Sequence, residues 1–332
     1  MPVSAPRTLE RLSALDLVEA LHLAHAAAAL HELDVLPLLS RGATVAQLAH
    51  RHELDAKMLR AALDYLAMRT KLVRKSRGRY VATPHWLKEG RFLIDLYALA
   101  YRDNAVRLVQ SLRTPALAAA TVDRVWHAKA FDDASAGHGG VLAGLVRQLG
   151  FNRVLDLGCS TGRMLNALAV TDASFIGWGL DLNPTACKAA RALLRASGVA
   201  SRVRIFTGDA LRMDAALPPR VREAICAVTA SQVANGLFAA GPKAVVDWLR
   251  RMRKALPERP LLIADYCARL GTAIKPMQRE TLLHDFAQVI SGQGVPPSTL
   301  KSWQTIYRQA GCRLLHVIED KRNTSFVHLL KL

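Results

Sequence analysis

Long apolar runs are missing from this chain. None approaches the roughly 18 residues that a helix needs to cross a bilayer, and the opening MPVSAPRTLERL has no apolar core of the kind that directs export. Cysteine is sparse: Cys159, Cys187, Cys226, Cys267 and Cys312 lie far apart, with no C-x-x-C pair. That scatter argues against a disulfide framework or a structural zinc site and fits a reducing, cytoplasmic setting. Aromatic residues make up only 6% of the 332 positions, while 51% are hydrophobic. Such a balance, carried by alanine and leucine, suits packed cores and excludes disorder. The length suffices for two domains, each with its own core. Acid is the other shortage, because 27 Asp+Glu face 45 Lys+Arg for a net charge of +18. Residues 1–120 hold 17 basic and 11 acidic side chains and the remainder 28 and 16, so the excess is spread and not gathered in one arm. A generally basic surface explains it; a functional patch for an anionic partner such as nucleic acid is the alternative.

What is present falls into two patterns. Thr8–Leu33 reads as a long helix with Leu12, Leu15, Val18, Leu21 and Leu23 on a broad apolar face. Thr44–Leu54 reads as a short helix capped by Thr44, with Leu48 and Ala49 inward. Lys57–Met68 reads as another, with Met58, Leu59, Ala62, Leu63 and Leu66 at helical spacing, and Leu72–Pro84 as a hairpin turning at Ser76–Gly78. Helix, turn, helix and hairpin together make a winged helix, a unit that can enter a DNA groove. A helical stretch Arg91–Ala130 broken at Thr114–Pro115 follows, then a loop-like Asp132–Gly140. The expected boundaries are a helical domain 1–115, a connector 116–140 and a catalytic domain 141–332. From Val141 strands and helices alternate, the mark of a parallel α/β sheet. Strands are predicted near Arg153–Leu157, Phe175–Asp181, Val203–Thr207, Ala224–Thr229 and Leu261–Asp265, with a terminal antiparallel pair near Leu314–Glu319 and Ser325–Lys331. Helices are predicted near Gly162–Val170, Pro184–Ala196, Pro242–Leu256 and Ser298–Ala310.

The sharpest signal is Val154–Leu168, VLDLGCSTGRMLNAL. A buried strand ends in Asp156, and a bend with Gly158 and Gly162 leads into a helix whose free N–H groups face a ligand. The leading acid would repel a phosphate, so the pattern differs from a dinucleotide fingerprint. It suits a ligand bearing an ammonium and a sulfonium, such as S-adenosylmethionine (SAM). Asp181, in GLDLNP, lies 25 residues further on at the end of the second strand, where a carboxylate can accept both ribose hydroxyls of an adenosine. Gly208–Asp209–Ala210 follows the third strand, where a carboxylate can accept an adenine amino group.

These three motifs resemble those of the class I SAM-dependent methyltransferases. Over roughly residues 10–332 the chain resembles the small-molecule O-methyltransferase-like family with an N-terminal winged-helix dimerisation domain. The resemblance implies a Rossmann-like seven-stranded methyltransferase sheet behind a mostly α-helical domain, a homodimer formed through that domain, SAM as methyl donor, and a small acceptor held between the domains. It places Asp156, Gly158, Cys159, Ser160 and Gly162 by the methionine part of SAM. Asp181 and Leu182 then take the ribose and adenine edge, Asp209 and Ala210 the adenine, and Ser231 borders the cofactor.

The family's usual catalytic histidine should follow the fourth strand in a sequence like L-H-D-W. Here Ser231–Phe238 reads SQVANGLF, with no histidine and no acid. Either the acceptor is already a good nucleophile, or another residue is the base. Leu283–Trp303 (LHDFAQVISGQGVPPSTLKSW) is similar to the family's acceptor-binding region and offers His284 and Asp285; packing or helix surface is the alternative role for His284. Gln232, Asn235, Gln288 and Gln293 are candidates to hydrogen-bond an acceptor, or simple caps and loop polarity. Relatives that C-methylate α-keto acids in some cases hold a metal, but the matching positions Ala234, Asn235 and Gln288 are poor ligands, so no metal is expected. Tyr101, Arg102, Trp126 and His127 are candidates to close the acceptor pocket, with core packing as the alternative. Arg163 and His138 are weaker candidates for the cofactor carboxylate.

Three other readings remain at this point. A non-catalytic SAM-binding regulator is one, because the missing histidine is also what an inactive enzyme would show. A methionine-like thioether needs no base, and an arginine such as Arg102 would clamp its carboxylate. A nucleic-acid methyltransferase would use the winged helix and the basic surface, yet residues 229–238 lack the N/D-P-P-aromatic box that receives a flipped base.

Overall fold

The computed structural model describes residues 11–320 and 324–332, and residues 132–138 as backbone only. Residues 8–10 of the expected first helix lie outside the described residues. The chain forms two compact units, one of residues 11–107 with 121–133 and one of residues 108–120 with 134–332. These bounds differ from those expected at 115 and 140. One reason is local: a Cβ at Gly292 would meet Ala119 N at 3.2 Å and Ala118 Cβ at 3.4 Å, so that short helical stretch lies against the second unit.

The first unit is helical. The helix Ala14–Glu32 starts at Ser13, whose hydroxyl accepts from Asp16 N while the Asp16 carboxylate accepts from Ser13 N, a closed capping box. Thr44 and Gln47 repeat the device at Val45–His52. In Ala56–Arg69 the residues Leu59, Leu63 and Leu66 are buried, whereas Met58, expected inward, is 75% exposed. Strands β1 (Val73–Ser76) and β2 (Arg79–Ala82) pair antiparallel around Arg77 and Gly78, both at positive φ, as a tight hairpin turn demands. The expected order of helix, helix and hairpin is thus observed.

The second unit is built on one sheet of seven strands: β3 (Arg153–Leu157), β4 (Ile176–Asp181), β5 (Val203–Thr207), β6 (Ala227–Ser231), β7 (Pro260–Tyr266), β8 (Arg313–Asp320) and β9 (Ser325–Lys331), in the order β5, β4, β3, β6, β7, β9, β8. The first five are parallel; β9 runs antiparallel to β7 and to β8. Parallel strands are covered on both faces, which is why β7 reads PLLIADY with every residue after Pro260 buried. The helix Pro242–Ala255 covers one face with Val245, Val246, Trp248, Leu249 and Met252, a helical-period stripe opposite its basic face. The helix Leu300–Ala310 adds Trp303, Ile306 and Tyr307 to the same core.

Strand order reverses at β3, because the chain steps outward to β4 and β5 and then returns to place β6 on the other side. That reversal opens a crevice at the carboxyl ends of β3 and its neighbours. Two expectations fail. Asp132–Gly140, expected as a loop, lies within the 25-residue helix Arg124–Gln148; two adjacent glycines weaken a helix but do not end one when the flanking turns hold. The fourth strand begins at Ala227, since Pro219 opens a short helix that runs through Ala224.

Candidate active site

Asp156 is the last but one residue of β3, flanked in register by Gly179 of β4 and Thr229 of β6. It is 6% exposed, and Thr229 Oγ1 donates to its Oδ1 at 2.8 Å. Burial pushes this carboxyl up to about 7; the Thr229 hydrogen bond opposes the rise and the nearby Asp181 charge adds to it. A buried acid poised near neutrality is one that a ligand cation would ionise.

The bend after it is set by backbone demands. Gly158 sits at φ +67°, and a Cβ there would lie 2.7 Å from Val233 Cγ2 in the segment after β6. Only glycine lets the two turns approach so closely. Gly162, at φ +72°, precedes the helix Arg163–Thr171 and faces Ala190, which a Cβ would meet at 3.1 Å. Ser160 holds a left-handed φ of +47°, which turns its N–H onto Asp181 Oδ2 at 2.8 Å. Asn183 N donates to the other oxygen, Oδ1, at 2.8 Å. Each Asp181 oxygen keeps a second lone pair, so the carboxylate is rigidly aimed and can still accept two hydroxyls. Leu182, 72% exposed, offers an uncovered apolar face next to it. Gly208 N bonds to Asp181 O at 2.9 Å and ties the end of β5 to the end of β4. Asp209 then caps a short turn through Leu211 N at 2.8 Å, and the Ala210 carbonyl accepts from Trp248 Nε1. The ends of β3, β4 and β5 and the bend after β3 therefore carry Asp156, Gly158, Ser160, Gly162, Asp181 and Asp209. Cys159 differs: its thiol is buried against Gly179, where a Cβ would come within 2.6 Å of Sγ, so only its backbone faces the bend.

On the far side of β3, Ser231 ends β6 and Gln232 takes a positive φ of +55° with its N–H on Ala264 O. Asn235 Nδ2 donates to Gln232 Oε1 at 3.0 Å, and Asn235 N donates to Asp265 Oδ2 at 3.0 Å. Asp265, 1% exposed at the end of β7, also accepts from Tyr266 N; burial pushes it up to about 7, against those two N–H groups. Sequence reasoning passed over Asp265, although an acid at the end of a buried parallel strand was the available signal.

The helix Arg279–Ile290 carries His284, Asp285 and Gln288. Asp285, expected as catalytic, is fully buried and spends its Oδ2 on the N–H groups of Arg269 (2.5 Å) and Leu270 (2.8 Å), so it anchors the chain after β7. His284 Nε2 lies 3.0 Å from the Gln288 amide and its ring stands edge-on to Tyr266 at 5.3 Å. Burial pushes this imidazole down to about 4, which makes it neutral at pH 7 and a weak base. Gln293 bonds to Ser291 Oγ at 3.0 Å.

Arg163 opens the helix Arg163–Thr171, and the His138 side chain lies outside the described residues. Tyr101, Arg102, Trp126 and His127 belong to the helical unit, where the three rings fall in two aromatic groups. Tyr101, 2% exposed, meets His127 at 5.9 Å, His127 meets Phe131 at 4.9 Å, and Trp126 meets His31 at 5.5 Å with Lys129 Nζ 3.9 Å above its ring. His31 pairs with Asp95 at 2.7 Å, both buried; 63 intervening residues hid that pair from sequence reading. Arg102 is committed to Glu32 at 2.6 Å, which corrects its expected role as a clamp.

Residues 154–257, which span the bend, Asp181, Asp209 and the amide pair, match the family described as methyltransferase domain. That segment of the chain is therefore similar to a methyltransferase domain. Solved structures agree on the fold over nearly the whole length. The mitomycin 7-O-methyltransferase MmcR is 20% identical with a TM-score of 0.72, covering 96% of both chains. PigF, solved with S-adenosylhomocysteine, is 16% identical with a TM-score of 0.74 over 97% of this chain and all of its own. An O-methyltransferase family protein from Burkholderia thailandensis is 19% identical with a TM-score of 0.68 over 97% and 98%. A search of curated proteins gave no significant match. No described helix of the chain is long and apolar enough to cross a membrane.

The donor set fits SAM. Asp156 and Asp181 offer acceptors for a cation and a diol, and the absent Cβ of Gly158 leaves the approach open.

Proposed function

We propose that this methyltransferase moves the SAM methyl group to a small-molecule acceptor whose nucleophilic atom needs no histidine base. The observation that carries the reading is the make-up of the segment after β6. The Gln232–Asn235 pair stands there, and the acid behind it, Asp265, is locked onto two backbone N–H groups. Bound in the cradle, SAM supplies an electrophilic methyl on a sulfonium. In this reading Asp156 faces the ammonium, Asp181 takes the ribose hydroxyls and Asp209 the adenine amine. Leu182 and Ala210 border the base, Ser231 lies toward the transferring group, and Gln232 and Asn235 orient the acceptor. His284, Gln288 and Gln293 give the acceptor side neutral hydrogen-bonding groups. Placement of two reactants can by itself lower a barrier by on the order of 7–11 kcal/mol.

The test is turnover of SAM to S-adenosylhomocysteine with a panel of phenols, amines, thioethers and activated carbons, followed across pH. At saturating SAM, kcat is expected to show no histidine limb. The SAM specificity constant should fall as pH drops below about 7, because Asp156 must shed its proton to meet the ammonium. A kcat limb near pH 6.5 that vanishes in His284→Ala would restore the histidine base and end the proposal.

The homodimer belongs to this reading too. Leu15, Val18 and Leu21 are 76%, 53% and 54% exposed on one helix, an apolar stripe that a second copy would cover. Small-molecule relatives by fold favour a metabolite over nucleic acid, and the missing stacking box supports the same choice.

A further inference from the structure

The second unit has another concavity, at the opposite ends of the strands from the cofactor cradle. It holds about 620 Å3 and is lined by Arg250, Arg253, Lys254, Glu258, Arg308 and Gly311, among others. It forms where the helices Pro242–Ala255 and Leu300–Ala310 finish and where β7 begins at Pro260. Its one acidic side chain, Glu258, is already paired with Lys331. Arg250 is anchored, with Nη2 donating to Gln309 O at 2.9 Å. Arg253 lies across the bend at Gly311, where a Cβ would come within 2.6 Å of Nη1, so glycine at φ +74° leaves the guanidinium its place. Arg308 spends one nitrogen on Thr305 Oγ1 at 3.0 Å. Among the described residues, no carboxylate forms an ion pair with Arg253, Lys254 or Arg308.

Part of this charge complements the carbonyl-rich helix ends, as basic last turns do. Arg250 also pairs with Asp247 at 3.6 Å, but Arg253, Lys254 and Arg308 around one hollow still exceed that need. Guanidinium forks match the oxygen geometry of phosphate, and a cavity of this size admits more than one such group. We propose that this hollow binds the phosphate groups of a small molecule that carries at least two of them, at a site separate from methyl transfer.

A built-in control exists. A second hollow of about 390 Å3 along the edge strand β5 is also lined by arginines, including Arg204 and Arg220. There, however, Arg191 is turned onto Ile205 O and Thr207 Oγ1. The experiment is calorimetry of the full chain with inorganic pyrophosphate and orthophosphate in roughly 0.1 M salt. Pyrophosphate is expected to bind more tightly than orthophosphate. The double variant Arg253→Glu/Arg308→Glu should weaken it by about tenfold or more. The equally charged Arg204→Glu/Arg220→Glu should change it less than about twofold, as a remote screened charge would. SAM affinity should stay unchanged in both, which also reports that both remain folded. Equal losses in the two variants, or no pyrophosphate binding by the parent chain, would overturn the proposal.

Discussion

The two sides of β3 are built on different principles. Toward β4 and β5, acids stand at successive strand ends and are aimed by backbone N–H groups only a few residues away in space: Asp181 by Ser160 and Asn183, Asp209 by Leu211. Toward β6 and β7 the groups at the strand ends are mostly amides. The one acid, Asp265, is wholly buried and serves the chain itself. On the proposed reading the charged first side meets the cationic nucleoside, and the neutral second side positions the acceptor without taking a proton from it. A methyl cation equivalent needs strong binding of the donor but only alignment of a ready nucleophile, so the asymmetry matches the chemistry.

Three substitutions sharpen or break this contrast. Asp181→Ala should have the largest effect. It removes two anchored oxygens and frees the Ser160 and Asn183 N–H groups, and SAM binding by calorimetry is expected to weaken by about 100-fold or more. An unchanged dissociation constant would remove Asp181 from the cofactor side. Gly158→Ala should come next. Its Cβ would strike Val233 at 2.7 Å in a left-handed conformation, so a stability loss on the order of 1–3 kcal/mol and about tenfold weaker SAM binding are expected in thermal melts and titrations. Wild-type values for both would mean that the bend is more yielding than its packing implies. His284→Gln is the smallest. A neutral imidazole tied to Gln288 contributes little as a base, so kcat should change less than about threefold. A loss beyond tenfold would show that the neutral side has a base after all.

Much of the cradle was legible because its determinants are contiguous. Strand, acid, glycine bend and helix fall within Val154–Leu168, and the next two acids recur at strand ends, so periodicity and residue type sufficed. The alternation of apolar runs and helices likewise announced the sheet. What failed involved distant partners. Asp285 looked free and titratable, but its partners Arg269 and Leu270 arrive from another loop. Arg102 looked available until Glu32, 70 residues earlier, was found on it. Met58 fitted the helical stripe yet faces outward, since a periodic pattern admits residues at its margin that packing leaves exposed. Cys159 lies within the motif, but the space beneath Gly179 drew its thiol inward.

The amino-acid sequence by itself determined the sheet, the bend and the three strand-end acids, because backbone sterics and hydrophobic period act between near neighbours. Tertiary structure alone decided which polar side chains remain available for chemistry. Availability depends on who else occupies a group's hydrogen-bonding sites and on how far burial moves its proton affinity, and both are set by segments that meet only when the chain has folded.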